Sequence, residues 1–275
     1  MNIHNEILSN INIVNVLKEI TNNNIKLPIL DDYNSLEAYW YPHPPCLIPL
    51  FLGYGASYKG IVHHFFCNRK NTFIEYNLEF PYFYEIARNE KQLLTWMILS
   101  MIAIKNGVTD EIIQFCNETG YKELNAVDTF SIKYGDNPKE FDKLIYFRNE
   151  LPSQYVDDIT QYNGDYPSSM RGVNKTQISN ACAYEVTTED LHNLDSIPLW
   201  LDEKENKKNL FEKYILKNQL KEAWFTLNSK GWLLTDVAEA LCLLKTKSND
   251  KLLHLIADNW ISNWKKSDFK ENTCY

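Results

Sequence analysis

One stretch, from Leu47 to Ile104, constrains the fold of this chain more than any other. It opens LIPLFLGYGASYKGIVHHFF, continues through FIEYNLEF and closes on ARNEKQLLTWMILSMIAI. LIPLF and IVHHFF are short runs of β-favouring apolar residues. Glycines at 53, 55 and 60 lie between them and admit backbone angles that other residues resist, so a hairpin or wide turn is expected. Asn68 to Asn71 makes the next turn and Thr72 to Phe80 a third strand, which Pro81 interrupts. Asn89 then caps a helix running from Glu90 to about Lys105, and Asn106-Gly107 stops it. The pattern predicts three strands closed by a buried helix.

The flanks are helical. Ile3, Ile7, Ile11, Val14 and Leu17 recur as one helical stripe, widened by Ile13, Val16 and Ile20 and ended by Asn22 to Asn24. Tyr39-Trp40-Tyr41 then lead into Pro42, Pro44 and Pro45, which hold the chain extended. A second helix is expected over Thr109 to Asn117, because Thr-Asp-Glu suits a helix N-terminus. Residues 125 to 200 mix short apolar pieces with turn signals, and within them Glu140 to Arg148 reads as helical. Leu210 to Leu216, Leu220 to Leu227, Val237 to Leu244 and Leu252 to Trp264 each show apolar recurrence at i, i+3 and i+4. Gly231 breaks the second of these, Thr235 or Asp236 caps the third, and Ser248 or Asn249 caps the fourth. The fold class expected is α+β: a small antiparallel sheet with packed helices, followed by a C-terminal helical bundle. The expected divisions are an α+β domain over 1–125, an irregular acidic connecting region over 126–200 and a helical region over 201–275.

Charge narrows the function. The net charge of −8 argues against a general nucleic-acid binder, which needs a basic face. From Asp136 to Trp200 there are 11 acidic and 5 basic side chains, whereas from Leu201 to Tyr275 there are 11 and 13. An acidic middle segment can steer a basic partner or serve as a solvated surface. No apolar run reaches the roughly 18 residues needed to span a bilayer. The opening MNIHNEILSN lacks a basic region leading into an apolar one, so a cytoplasmic address is expected. Six cysteines without CxxC spacing are then expected to be reduced.

Chemistry-bearing residues gather in the same stretch. His43-Pro-Pro-Cys46 and His63-His64-Phe-Phe-Cys67 offer nitrogen and sulfur ligands of the kind zinc accepts. If Ile61 to Cys67 is a strand, His63 and His64 face opposite sides, and His63 and Cys67 sit about 13 Å apart, too far to share one ion. Ser57 misses the Gly-x-Ser-x-Gly spacing of a nucleophile elbow, and no GK[ST] phosphate loop is present. Cys67 with His63 or His64 as base is a conceivable nucleophile. Carboxylate pairs such as Glu75 with Glu79 are more commonly solvated than catalytic. Between Tyr39 and Tyr84 there are 14 aromatic residues, which suits a core first and a protein interface second. Neither a metal nor another cofactor is expected.

The order strand, glycine turn, strand, strand, helix resembles the core of the SUKH superfamily. The resemblance is carried by Leu47-Ile48-Pro49-Leu50-Phe51, Gly53 to Gly60, Phe73-Ile74-Glu75-Tyr76 and Ala87 to Leu94, about a fifth of the chain. Many bacterial members are immunity proteins, antitoxins that bind and neutralise a cognate toxin. The resemblance therefore implies toxin neutralisation by protein–protein contact without catalysis, and the acidic chain suits a basic, nuclease-type toxin. Tyrosine anchors beside carboxylates suit a basic surface, which selects Tyr155, Asp157, Asp158, Tyr162, Asp165 and Tyr166 as partner-binding candidates. The competing readings are a hydrolase or metal-dependent enzyme centred on His63, His64 and Cys67, and a regulatory scaffold whose C-terminal helices dock a partner helix.

Overall fold

A computed structural model of the chain describes residues 3–28, 33–37, 39–79, 83–157, 162–165, 198–202, 204–269 and 275. Its centre is a four-stranded antiparallel meander in the order β1-β2-β3-β4, formed by Leu47–Leu52, Ser57–Val62, Thr72–Asn77 and Phe83–Ala87. With the surrounding helices this makes the fold α+β, as expected. The fourth strand was not anticipated, because its pattern is inverted. Glu85 is buried and Tyr84 is 40% exposed, so the usual reading of charge outside and aromatic inside hides it.

Local chemistry accounts for the meander. Gly55 sits at φ +66 in the β1–β2 turn, a conformation other residues resist. Gly60 answers a different need: a Cβ there would lie 2.5 Å from the Ile48 carbonyl oxygen and 3.0 Å from Pro49 Cα, so only glycine lets β1 approach β2 this closely. Pro49 is tolerated because β1 is an edge strand of the four. Part of that edge is covered, since Asn34 and Leu52 exchange backbone hydrogen bonds of 2.8 and 2.9 Å.

Both faces of the sheet are used. Alternation along β2 sends Lys59 and Tyr58 to opposite sides. Lys59 is 2% exposed; its Nζ lies 5.1 Å from the Tyr33 ring, 5.7 Å from the Trp96 ring and 3.8 Å from Glu75. Trp96 belongs to α3, Glu90–Lys105, the third helix of the chain after α1 (Ile3–Asn10) and α2 (Asn15–Thr21). Asn89 caps α3 by accepting from Gln92 N, and Asn106 ends it in the left-handed region. On the opposite face Tyr58 meets Tyr41 and His43 at centroid distances of 5.9 and 5.1 Å.

The N-terminal stripe is two helices, α1 over Ile3–Asn10 and α2 over Asn15–Thr21, and not one. Asn12 lies at φ 55 between them. Ser9 Oγ and Asn10 Nδ2 donate to the carbonyls of Asn5 and Glu6, and this side-chain competition accompanies the end of α1. The break turns Val14 outward, 44% exposed, while Ile11 and Ile13 stay inside.

Beyond α3 come α4 over Asp110–Thr119, capped by Thr109, and α5 over Leu124–Tyr134. The expected helix at Glu140 to Arg148 is a short 3-10 turn over Pro138–Lys143, and the chain reverses afterwards with Tyr146 at φ 66. The four C-terminal helices are α6 over Lys207–Leu216, α7 over Leu220–Leu227, α8 over Leu234–Lys247 and α9 over Lys251–Lys266. They are joined to the sheet by buried polar contacts. Cys46 N donates to Asn228 Oδ1 at 2.6 Å, Trp224 Nε1 to His64 Nδ1 at 3.1 Å, and Trp260 Nε1 to the His43 carbonyl at 2.9 Å. One hydrophobic core runs from α1 through the sheet to α9.

Candidate functional site

The histidines and thiols of the nucleus are placed differently from the expectation. β2 ends at Val62, so His63 to Cys67 form a turn in which Phe66 takes φ 63, not a continuing strand. His63 Nδ1 lies 2.8 Å from Asn71 Oδ1, and its ring stands edge-on to Phe65 at 4.7 Å. His64 is buried and accepts from Trp224 through Nδ1, which fixes it as the Nε2–H tautomer in its neutral form. Burial raises the Cys67 thiol above its ordinary value, the reverse of what an activated nucleophile requires. Among the described residues no three His, Cys, Asp or Glu side chains are grouped to hold a metal ion. These side chains serve packing and the joint between sheet and C-terminal helices.

Of the acidic and aromatic candidates, Tyr155, Tyr162 and Asp165 lie at the β3–β4 side of the sheet. Tyr155 closes a 3-10 turn over Ser153–Tyr155 and packs its ring on Phe141 and Phe147, with centroids 4.7 and 6.2 Å away. Burial pushes its phenol well above the usual range. Tyr162 donates to Glu85 Oε1 at 3.0 Å, and the Arg88 guanidinium lies 5.5 Å from its ring centre. Asp165 accepts from Lys70 N through Oδ2 at 3.1 Å and from the Arg69 guanidinium through its carbonyl. Arg88 also donates to the side chain and carbonyl of Asn163, which in turn donates to the Asn149 carbonyl. Asp157 is exposed, and Asp158 and Tyr166 lie outside the described residues. The structure thus brings Tyr162 and Asp165 to one edge, turns Tyr155 inward, and leaves Asp157 on the surface nearby in sequence.

Glu85 organises this edge, and sequence reasoning missed it. Its carboxyl is 1% exposed and accepts from Thr72 Oγ1 at 2.5 Å, Ser153 N at 2.6 Å and Tyr162 OH at 3.0 Å. Burial raises its pKa to about 7; the three hydrogen bonds and the Arg88 charge pull the other way and offset only part of that rise. Glu85 therefore joins β3, β4, the 153–155 turn and the 162–165 segment through one side chain. The signal available in sequence was a lone carboxylate inside an apolar strand, and that is a weak one.

A second feature is a cleft of about 500 Å³ between α1, the end of α2, residues 35–37 and 39–49, and α9. Trp40, Trp260, His43 and Tyr58 form its aromatic side, with Trp40 5.5 Å from Trp260 and 5.4 Å from His43 between ring centres. His43 Nδ1 lies 2.8 Å from the Tyr41 carbonyl, an acceptor, so Nδ1 carries the ring proton and Nε2 its lone pair. Burial lowers the pKa of His43 to about 4 and keeps the ring neutral at ordinary pH. Tyr58 OH accepts from Tyr41 N at 2.6 Å. Asn259 and Asn263 stand one helical turn apart on α9, linked by a 3.3 Å hydrogen bond between their amides.

Compared with protein-family models, with curated proteins and with solved structures, the chain matches none.

Proposed function

We propose that this chain is a non-catalytic binding protein, a cytoplasmic immunity protein that neutralises a basic toxin by protein–protein contact. The observation that carries the reading is the state of Asp157 and Asp165. Neither forms an ion pair with a described residue, and Asp165 sits on a segment held to the sheet edge by Arg69, Lys70, Arg88 and Glu85. An anionic Asp165 held in place on a fixed edge attracts a basic surface without a large ordering cost on binding, and the exposed Asp157 adds a second negative charge. The net charge of −8 adds a long-range field of the same sign. Tyr162 contributes by anchoring the segment, and Tyr155 by supporting it from inside. The packing roles of His63, His64 and Cys67 support binding over catalysis.

The test is co-expression with the product of the neighbouring gene, followed by affinity capture at low and high salt. A complex that weakens with salt and weakens further in Asp157→Lys/Asp165→Lys supports the reading. Absence of both a complex and protection from that gene product would sink it.

A further inference from the structure

The cleft between α1 and α9 is built from elements remote from the acidic edge, and its wall has a consistent chemistry. Half-buried Trp40 supplies an apolar ring surface, with the buried Trp260 ring nearly perpendicular to it at 83°. The polar groups are almost all neutral: Asn22, Asn23, Asn259, Asn263, Ser35 and Ser262, with one carboxylate, Glu37, and one ammonium, Lys266, balancing each other. A phosphate or other strong anion would find one cation here and no cluster, and a purely apolar ligand would strand the amides.

Three groups on this wall have unused hydrogen-bonding capacity. His43 is 3% exposed, its Nδ1–H is committed to the Tyr41 carbonyl, and no described residue bonds Nε2, which is left as an acceptor. The Trp40 indole N–H, whose ring adjoins His43, has no acceptor among the described residues. Asn259 accepts from Asn263 through Oδ1, so its own amide donors have no described partner. A buried acceptor beside two sets of donors is matched by hydroxyl groups, since each hydroxyl both donates and accepts. Ring faces next to those groups match a ligand that also has an apolar C–H face. The cleft volume falls within the range of about 300–1,000 Å³ that small-molecule sites occupy.

From this combination we infer that the cleft is a binding site for a neutral pyranoside, with a sugar face stacked on Trp40 and its hydroxyls bonded by His43 Nε2, Trp40 N–H and the Asn259 amide. The site is independent of toxin binding, and either can fail without the other.

The experiment is a titration of the full chain with methyl glucoside, methyl galactoside and diacetylchitobiose, read by tryptophan fluorescence and by saturation transfer to the sugar protons. At least one sugar is expected to bind saturably. Asn259→Ala, on a half-exposed face of α9 where alanine favours the helix, is expected to weaken it about tenfold through the lost amide bonds. Trp40→Leu is expected to abolish the fluorescence change while the fold, checked by circular dichroism, persists. If none of the three sugars binds saturably, the assignment is overturned. It is equally overturned if a sugar binds and both variants retain wild-type affinity. Asn117→Ala, on α4 and away from the cleft, should leave binding unchanged, and a loss there equal to that of Asn259→Ala also counts against the site.

Discussion

Glu85→Gln separates charge from shape at the buried node of the β3–β4 edge. In the folded chain the carboxyl has a pKa of about 7, against 4.5 for an ordinary glutamate. Between those values the folded state holds a proton that the unfolded state has released. The stability contributed by Glu85 is therefore fully present below about pH 4.5 and is lost as pH rises through about 7. At about 1.36 kcal/mol per pKa unit the difference is about 3 kcal/mol, with no large discount for solvent because the group is 1% exposed. Glutamine imitates the protonated form. Its carbonyl can take the place of Oε2 and accept from Ser153 N, and its amide can face the hydroxyls of Thr72 and Tyr162. Thr72 can accept because its own proton can go to the Ala87 carbonyl, 3.0 Å away. Unfolding by denaturant, followed through the seven tryptophans from about pH 4 to about pH 8.5, should show the wild type losing stability relative to the variant between about pH 4.5 and about pH 7 and levelling off above. The two should be nearly equal at the acidic end, with Glu85→Gln ahead by about 3 kcal/mol at the alkaline end. Parallel stability curves across that range, or a variant weaker than wild type at about pH 8.5, would refute the assignment of a neutral buried carboxyl.

Other perturbations test the frame around that node. Gly60→Ala places a Cβ 2.5 Å from the Ile48 carbonyl and should cost about 2–3 kcal/mol in chemical denaturation, whereas an unchanged midpoint would mean that β1 yields easily. Asn228→Ala removes the acceptor of Cys46 N and should cost about 1–3 kcal/mol, with faster amide exchange at Cys46; unchanged exchange there would contradict the joint between sheet and helices. Glu85→Ala removes the acceptor of the Ser153 N–H and the bond that ties Tyr162 to β4, and should cost about 3–5 kcal/mol, with limited proteolysis then cutting near residues 162–165.

What was legible in the sequence was local. The α3 boundaries follow from Asn89 and Asn106-Gly107, because a cap and a left-handed stop act within one turn of the chain. The four C-terminal helices follow from their apolar period for the same reason. Their caps are less faithful: α9 is capped by Asp250, which accepts from Leu252 N and Leu253 N, while α8 begins after Leu233 with no side-chain cap. The inverted burial in β4 arises where tertiary contacts override local pattern, whereas the split between α1 and α2 goes with the local bonds of Ser9 and Asn10, and the 3-10 turn starts at Pro138 with Asn137 as its cap. α5 was obscured by turn signals that lie mostly downstream of it.

The site was less legible than the fold. Tyr162 and Asp165 stand out by chemical type, and their roles depend on Arg69, Arg88 and Glu85, which lie 74 to 96 residues away in sequence. His63 and Cys67 are separated by a turn and not by the strand their apolar neighbours suggest, because β2 stops at Val62. The cleft depends on contacts between Trp40 or His43 and Trp260 across more than 200 residues, and no periodicity encodes such a contact.

The most direct test of the binding role is growth protection. Cells expressing the neighbouring gene's product are paired with wild-type chain or with Asp157→Lys/Asp165→Lys, and the complex is captured from the same cells. The wild type should protect and co-purify, with the variant protecting less and binding less. A neighbouring product that is toxic, yet is neither captured nor neutralised by the wild-type chain, would contradict the account.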